Sequence, residues 1–543
     1  VPLSPQVKRL LRVEADELTP PELIRAILRA PVDLLFAGGI GTFVKASTET
    51  HADVGDRAND AIRIDANELG ARVVGEGGNL AVTQRGRIQY ARRGGRINID
   101  AVDNSAGVDT SDREVNLKIL LRRATDRGRL DPDERVALLE AAKEDVAAAV
   151  LRNVYLQTGT ISAELANSPG GMEAYEAFMS ELVASGRLDR EVEALPSTAE
   201  VERRKEAGAG FTRPELAVLL GYAKIELTSR LLDSDLPDQP AFAEVLAGYF
   251  PAVVRERFAD LLGEHRLRRE LIATIVANDL VNRMGITYTS RTASELGCSA
   301  AEVAAAYWVA REVAGADQHW RDIEQLDGRV EPVRQLEMFA EVDRLVDAFA
   351  RSYVALPGRG ERAGIDVAAA VARDRPALHE VAKVVDDRMP ARRRAVRDAR
   401  RQHYIDAGVD VALADRIATL GELTLVPEVA AVARATEQQV AHVAAVFLAL
   451  SELLPLDRVQ EAVSRVDPVG HWERWQQRGL TDDLRQLRRE AAARALAEHP
   501  DLPPDEAVTR FLAARHEAAE RAEAIVARLD REVTGGLAAV SVA

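Results

Sequence analysis

Hydrophobic and polar positions follow two different rhythms along this chain, and the change falls near Ser111. Ahead of it, short apolar runs end abruptly on glycine: VDLLFAGGIGTF (32–43), ARVVGEGGN (71–79) and GRINIDAVDNSAGV (95–108). Their length and composition predict three strands, the first buried on both faces. LTPPELIRAILRA (18–30) reads as a helix, with Thr19 as N-cap, Pro20 just inside and Glu22 three residues after the cap. Strands that alternate with helices and stop at glycine-rich turns predict a parallel α/β sheet.

Beyond Ser111 the period becomes helical and stays so. In DPDERVALLEAAKEDVAAAVL (131–151), Asp131, Pro132 and Glu134 form a start signal, and Val136, Leu139, Val146 and Val150 fall on one stripe. RPELAVLLGYAKIELTSRLL (213–232), LRRELIATIVANDLVNRMG (267–285), AAEVAAAYWVAREVAG (300–315), LEMFAEVDRLVDAFARSYV (336–354) and AVTRFLAARHEAAERAEAIVARLD (507–530) keep that period. The Pro- and Gly-rich stretch from Leu356 to Gly364 is the expected break within this region. The division expected is 1–122, 123–355 and 365–543.

Composition narrows the function classes. A net charge of −16 disfavours a broad nucleic-acid footprint. The basic run RMPARRRAVRDARRQH (388–403) therefore reads as a solvated helix face. A single cysteine, Cys298, excludes an internal disulfide framework and fits a reducing, cytoplasmic setting. No apolar run has a membrane-spanning length of about 20 residues. The chain begins with Val1 instead of Met, which leads us to expect the later part of a longer polypeptide.

Candidate chemistry gathers at the glycine-broken strand ends, because ligands of open α/β sheets sit outside the carboxyl ends of the strands. Neither GGIGTF nor GEGGNL completes the G-x-G-x-x-G fingerprint, and no Walker A sequence is present. Asn79 and Asn104 each offer an amide donor and a carbonyl acceptor, suited to a carboxamide or a ribose. The nine histidines show no H-E-x-x-H or other close pair, so no metal site is expected. His265 reads as a capping or surface residue, Cys298 as inert, Trp472 and Trp475 as core or interface anchors, and RPEL as a helix-start device.

These stretches, with TRPELAVLLGYAKIELTSRLLDSDLP and LRRELIATIVANDLVNRMGITY, resemble the carboxy-terminal part of the large-subunit, NAD-specific glutamate dehydrogenases of bacteria. The resemblance implies the end of a Rossmann-like NAD-binding sheet followed by a helical region. It implies oxidative deamination of L-glutamate to 2-oxoglutarate and ammonium with reduction of NAD. Gly77, Gly78 and Asn79 of EGGN match the family's E-G-A-N turn beside NAD. DNSAGVDTS (103–111) is similar to N-A-G-G-V-x-x-S, which carries over Asn104 beside the nicotinamide and Val108 and Ser111 in the glutamate pocket. Ser105 and Ala106 depart from that pattern. Gly39, Gly41 and Thr42 of AGGIGTF are further cofactor candidates, and Lys45 is the lysine nearest to a strand end. The proton-shuttling lysine and aspartate of the family have no counterpart here, so no catalytic residue is assigned and the chain alone is expected to be inactive. Homo-oligomerisation is expected, without nucleic-acid or membrane partners. The rival expectation is a non-catalytic helical scaffold or regulatory module.

Overall fold

A computed structural model of the chain describes residues 1–356, 364–454, 459, 462–463, 471–517 and 521. Helix dominates, in two compact units, Val1–Arg291 and Thr292–Ala543.

In the first unit, helix α1 (Pro20–Arg29) starts as its sequence dictates: the Thr19 backbone N–H donates to Glu22 Oε2 at 2.9 Å, closing a capping box. Strand β1 (Leu34–Ala37) follows, then β2 (Val44–Lys45), β3 (Ile64–Asp65) and β4 (Val73–Glu76). β1 pairs in parallel with β4, Leu34 opposite Val73 and Ala37 opposite Glu76, while β2 pairs in parallel with β3. Leu35, Ala37 and Val74 turn inward onto a core that includes Leu28, Val44, Ile64, Val82, Tyr90 and Ile97.

Two expectations are corrected. β1 is buried on one face only, with Phe36 66% exposed and Leu34 on the same outward face. Leu34 is 58% exposed as well, so strand alternation leaves every second residue of β1 largely uncovered. The third expected strand shrinks to an isolated bridge between Val73 and Arg96. Helix α2 (Gln84–Arg92) precedes it, and the chain then coils into α3 (Asp100–Asp103) and α4 (Ser105–Asp126). The sheet is accordingly small, and the helical texture begins some ten residues before Ser111.

Asp131 caps α5 (Pro132–Ala141) by accepting the Glu134 N–H at 2.8 Å. The expected stripe is broken, because a turn at Ala142 separates α5 from α6 (Lys143–Ala184) and leaves Val136 exposed. Helix α7 (Arg213–Leu232) matches its predicted span and packs on α6 and on α8 (Arg268–Met284). His265 is a buried residue: Nδ1 accepts the Leu267 N–H at 3.1 Å at the start of α8, and Nε2 lies 3.1 Å from the Asn116 carbonyl.

The second unit is built around α9 (Ala300–Ala314), packed on α10 (Pro332–Ala355) and α11 (Val367–Arg388). Its alanines, Ala304, Ala306 and Ala310 among them, are buried and allow the helices to approach closely. The basic run forms α12 (Ala391–Asp406), where Arg393 pairs with Glu422 at 2.8 Å, Arg400 with Glu341 at 3.2 Å and Arg401 with Asp415 at 3.3 Å. Those guanidiniums face carboxylates instead of standing free. Most of the expected Leu356–Gly364 break and the side chains of Trp472 and Trp475 lie outside the described residues. Among the described residues, no helix is long and apolar enough to cross a membrane.

Candidate functional site

β1 and β4 run side by side, so their carboxyl ends deliver two glycine turns to one place. The turns touch: a Cβ on Gly78 would stand 2.5 Å from the Gly39 carbonyl oxygen, and the Gly78 N–H donates to the Ala37 carbonyl at 2.9 Å. A side chain on Gly77 would run into the Phe36 ring, 2.3 Å away. At Gly78 the obstacle is backbone, so glycine is required there.

Asn79 and Asn104, distant in sequence, meet at this end. Asn104 Nδ2 donates to Asn79 Oδ1 at 2.8 Å. That bond leaves Asn79 Nδ2 as a donor and Asn104 Oδ1 as an acceptor, and neither makes another hydrogen bond among the described residues. Asn104 is the residue on which α3 ends and α4 begins. Val108 and Ser111 follow it on α4 at helical spacing, both exposed, with Ser111 Oγ donating back to the Gly107 carbonyl at 3.2 Å. Asn104, Val108 and Ser111 therefore form one open stripe beginning at the amide pair.

Gly39 belongs to the same turn contact, whereas Gly41 and Thr42 are engaged elsewhere. Gly41 has φ +131, and a Cβ there would lie 2.7 Å from Asn59 Nδ2. Thr42 is buried, its N–H donating to Asp56 Oδ2 and its carbonyl accepting from Arg63 Nε, both at 2.9 Å. Lys45 is not a loop lysine: it lies buried in β2, and its ammonium pairs with Asp65 across to β3.

A buried ionic frame beneath the turn escaped the sequence reading. Glu76, fully buried at the end of β4, takes a two-pronged bond from Arg87 of α2, Nε to Oε2 at 2.7 Å and Nη2 to Oε1 at 2.8 Å. The same guanidinium reaches Asp100 Oδ1 at 3.1 Å. Asp100 in turn accepts the Leu80 N–H at 2.8 Å, and Glu76 Oε1 accepts the Val82 N–H at 3.1 Å. Burial raises the Glu76 carboxyl above the ordinary carboxylate range, against the opposing pull of Arg87. Asp103 completes the frame, accepting the Glu76 N–H at 3.0 Å and Asn98 Nδ2 at 2.8 Å, while Arg213 of α7 donates to Asn98 Oδ1 at 2.9 Å. Both ends of the Asn79 turn and the residue before Asn104 are thus held by buried charge. The signal in the sequence was Glu76 itself, an acid at the end of an apolar strand, which burial permits only with a partner.

A short parallel strand pair whose carboxyl ends carry an exposed amide pair, set on a charged frame and continued by helices, defines a helix-rich protein with a small α/β corner. Residues 208–543 match the family described as glutamate dehydrogenase, C-terminal, and residues 1–164 match bacterial NAD-glutamate dehydrogenase, catalytic domain. The chain belongs to this glutamate dehydrogenase family. It is 41% identical over 485 residues to the NAD-specific glutamate dehydrogenase of Pseudomonas aeruginosa, an alignment covering 89% of this chain and 30% of that protein. The proteins of the same name from Halomonas elongata and Mycobacterium tuberculosis are each 38% identical, with the same shares covered. The chain thus spans about 30% of the length of these relatives.

Proposed function

We propose that the chain forms part of an NAD-dependent glutamate dehydrogenase that deaminates L-glutamate oxidatively to 2-oxoglutarate and ammonium. On this reading residues 1–122 belong to its NAD-binding domain, 123–355 form a helical region, and the helical residues from about 365 onward contribute to a homo-oligomeric assembly. The observation that carries the proposal is the Asn79–Asn104 bond, which unites the two motifs that the resemblance assigns to one ligand. The unspent amide donor and acceptor fit a carboxamide or a ribose hydroxyl, and the bare backbone of Gly77, Gly78 and Gly39 leaves room for close approach. NAD, when bound, supplies the acceptor for the hydride leaving the glutamate α-carbon. Val108 and Ser111, farther along the α4 stripe, offer an apolar contact and a hydroxyl for the glutamate side chain. Proton transfer is assigned to groups elsewhere in the longer polypeptide, since Lys45 is committed to Asp65.

Two substitutions in the full polypeptide test this crosswise. Asn79→Ala should weaken NAD binding about ten-fold or more with little effect on glutamate, because a lost hydrogen bond and an orphaned partner cost about 1–3 kcal/mol. Ser111→Ala should raise the glutamate KM by a similar factor and leave NAD affinity unchanged, since a hydrogen bond to a carboxylate is worth about 1.5–3 kcal/mol. Calorimetric NAD titration with steady-state kinetics reads both. The opposite pattern, or no effect from either, would remove the assignment.

A further inference from the structure

The amino ends of β1 and β4, opposite to the asparagine pair, border a cavity. It has a volume of about 600 Å³, within the range of small-molecule sites. Its wall brings together Asp33 and Arg72, which precede the two strands, and Arg93 and Arg96 from the RRGGR turn after α2, with Asn67 and Tyr90 between them. The turn is shaped to place them. Gly94 has φ +91, and a Cβ on Gly95 would fall 2.3 Å from the Tyr90 ring, so the chain bends tightly over the tyrosine. Arg96 then runs alongside β4, its N–H donating to the Arg72 carbonyl at 3.1 Å and its carbonyl accepting the Val74 N–H at 2.9 Å. Tyr90 closes the floor, its hydroxyl spent on the Ala71 carbonyl at 2.8 Å.

The charge around this cavity is unbalanced. Three arginines and one aspartate line it, in a chain whose net charge is −16. Arg72 pairs with Asp33 at 3.1 Å, but both side chains are more than 80% exposed, so the pair contributes little and exchanges readily. The side chains of Arg93 and Arg96 make no hydrogen bond or ion pair among the described residues, whereas Arg393, Arg400 and Arg401 of α12 are paired with acids. Positioning like charges around one hollow is unfavourable until an anion neutralises them. Guanidinium forks suit planar or tetrahedral oxyanions with two or more acceptor oxygens.

We propose that this cavity binds a small dianion, a phosphate group or a short dicarboxylate, through Arg93 and Arg96 with Arg72 released from Asp33. β4 connects the cavity at Val73 to Glu76 and the Asn79 turn, so the bound anion sits on the same strand that carries the candidate cofactor corner. The proposal does not depend on the identity of the ligand at that corner.

Calorimetric titration of the full polypeptide with inorganic phosphate and, separately, succinate, at fixed ionic strength against chloride, tests it. One or both anions should bind saturably at one site per chain. Phosphate alone identifies the phosphate source, succinate alone the carboxylate source, and both support a general dianion site. Arg93→Ala/Arg96→Ala should weaken binding at least about ten-fold, and Arg93→Lys/Arg96→Lys should recover part of it by restoring charge without the fork. The exposed, unpaired positions predict an unchanged melting temperature without anion, which separates lost binding from lost folding. Absence of saturable binding by either anion, or undiminished binding in the alanine double variant, would overturn the site.

Discussion

Arg87 and Glu76 decide what holds the amide corner in place. Each is almost wholly removed from water, and their bond is two-pronged. Removing one partner leaves a buried charge alone, so Arg87→Met should destabilise the first unit by about 3–5 kcal/mol. Glu76→Gln/Arg87→Met should recover a large part of that loss, because the orphaned charge disappears. Chemical denaturation of the two variants decides between this account and a merely local contact. A second residue, Lys224, carries a pH dependence. It shares a stripe of α7 with the buried Leu220, Leu227 and Leu231, makes no ion pair among the described residues, and burial pushes its ammonium down to about 7. The folded pKa lies below the unfolded value of about 10.4, so the unfolded chain binds the extra proton between these limits. Stability therefore rises with pH from near 7 to about 10.4, and the penalty is complete below 7. Lys224→Met should stabilise by on the order of 2 kcal/mol at pH 6 and by progressively less toward pH 10. Equal stabilisation at both pH values would show that packing, not charge, is responsible. At this scale the sequence named Asn79 and Asn104 because motifs are local. It could not name their ionic support, which joins residues from four separate segments.

Among the elements, those whose limits are written locally were readable and those that depend on distant partners were not. Thr19–Glu22 and Asp131 start their helices as their spacing requires, and α7 begins at Arg213 under a second box in which Thr212 N–H meets Glu215 Oε2 at 2.7 Å. The third strand failed because pairing, not propensity, makes a strand: one bridge at Arg96 did not extend, and the following residues found helical hydrogen bonds instead. The reading of RPEL as a helix start was incomplete, since Arg213 also ties α7 to Asn98 and through it to Asp103. The glycine turns carry a prediction of their own. A methyl group at Gly78 would collide with the Gly39 backbone at 2.5 Å, which cannot rotate away as a side chain would. Gly78→Ala should therefore push the two turns apart, at a cost of about 1–3 kcal/mol. Hydrogen exchange should accelerate at Gly78 and Val82 while α7 and α8 remain protected. Unchanged protection at the turn would mean that the loops accommodate the methyl group and that the contact is not structural.

For the whole chain, the governing fact is the imbalance between two short strand pairs and the many helices of both units. β1 presents Phe36 and Leu34 outward, and Ile40 in the following turn is 89% exposed, so the corner that bears the amide pair is open on one side. The same corner holds donors, acceptors and bare backbone, and among the described residues Lys45 is paired with Asp65 and Glu76 with Arg87. Oxidation of an amine to an imine and its hydrolysis need a base and an acid that exchange protons during the reaction. A buried carboxylate locked in an arginine fork cannot serve as either without breaking the frame. Residues 1–543 alone should accordingly give no glutamate-dependent formation of NADH, while a full polypeptide of the kind found in the relatives should turn over. Following absorbance of the reduced nicotinamide with purified chain and with full polypeptide compares the two directly. Turnover by the isolated chain near that of an ordinary enzyme, about 10 per second, would require a catalytic pair among these residues, and Lys45 with Asp65 would be the first pair to substitute.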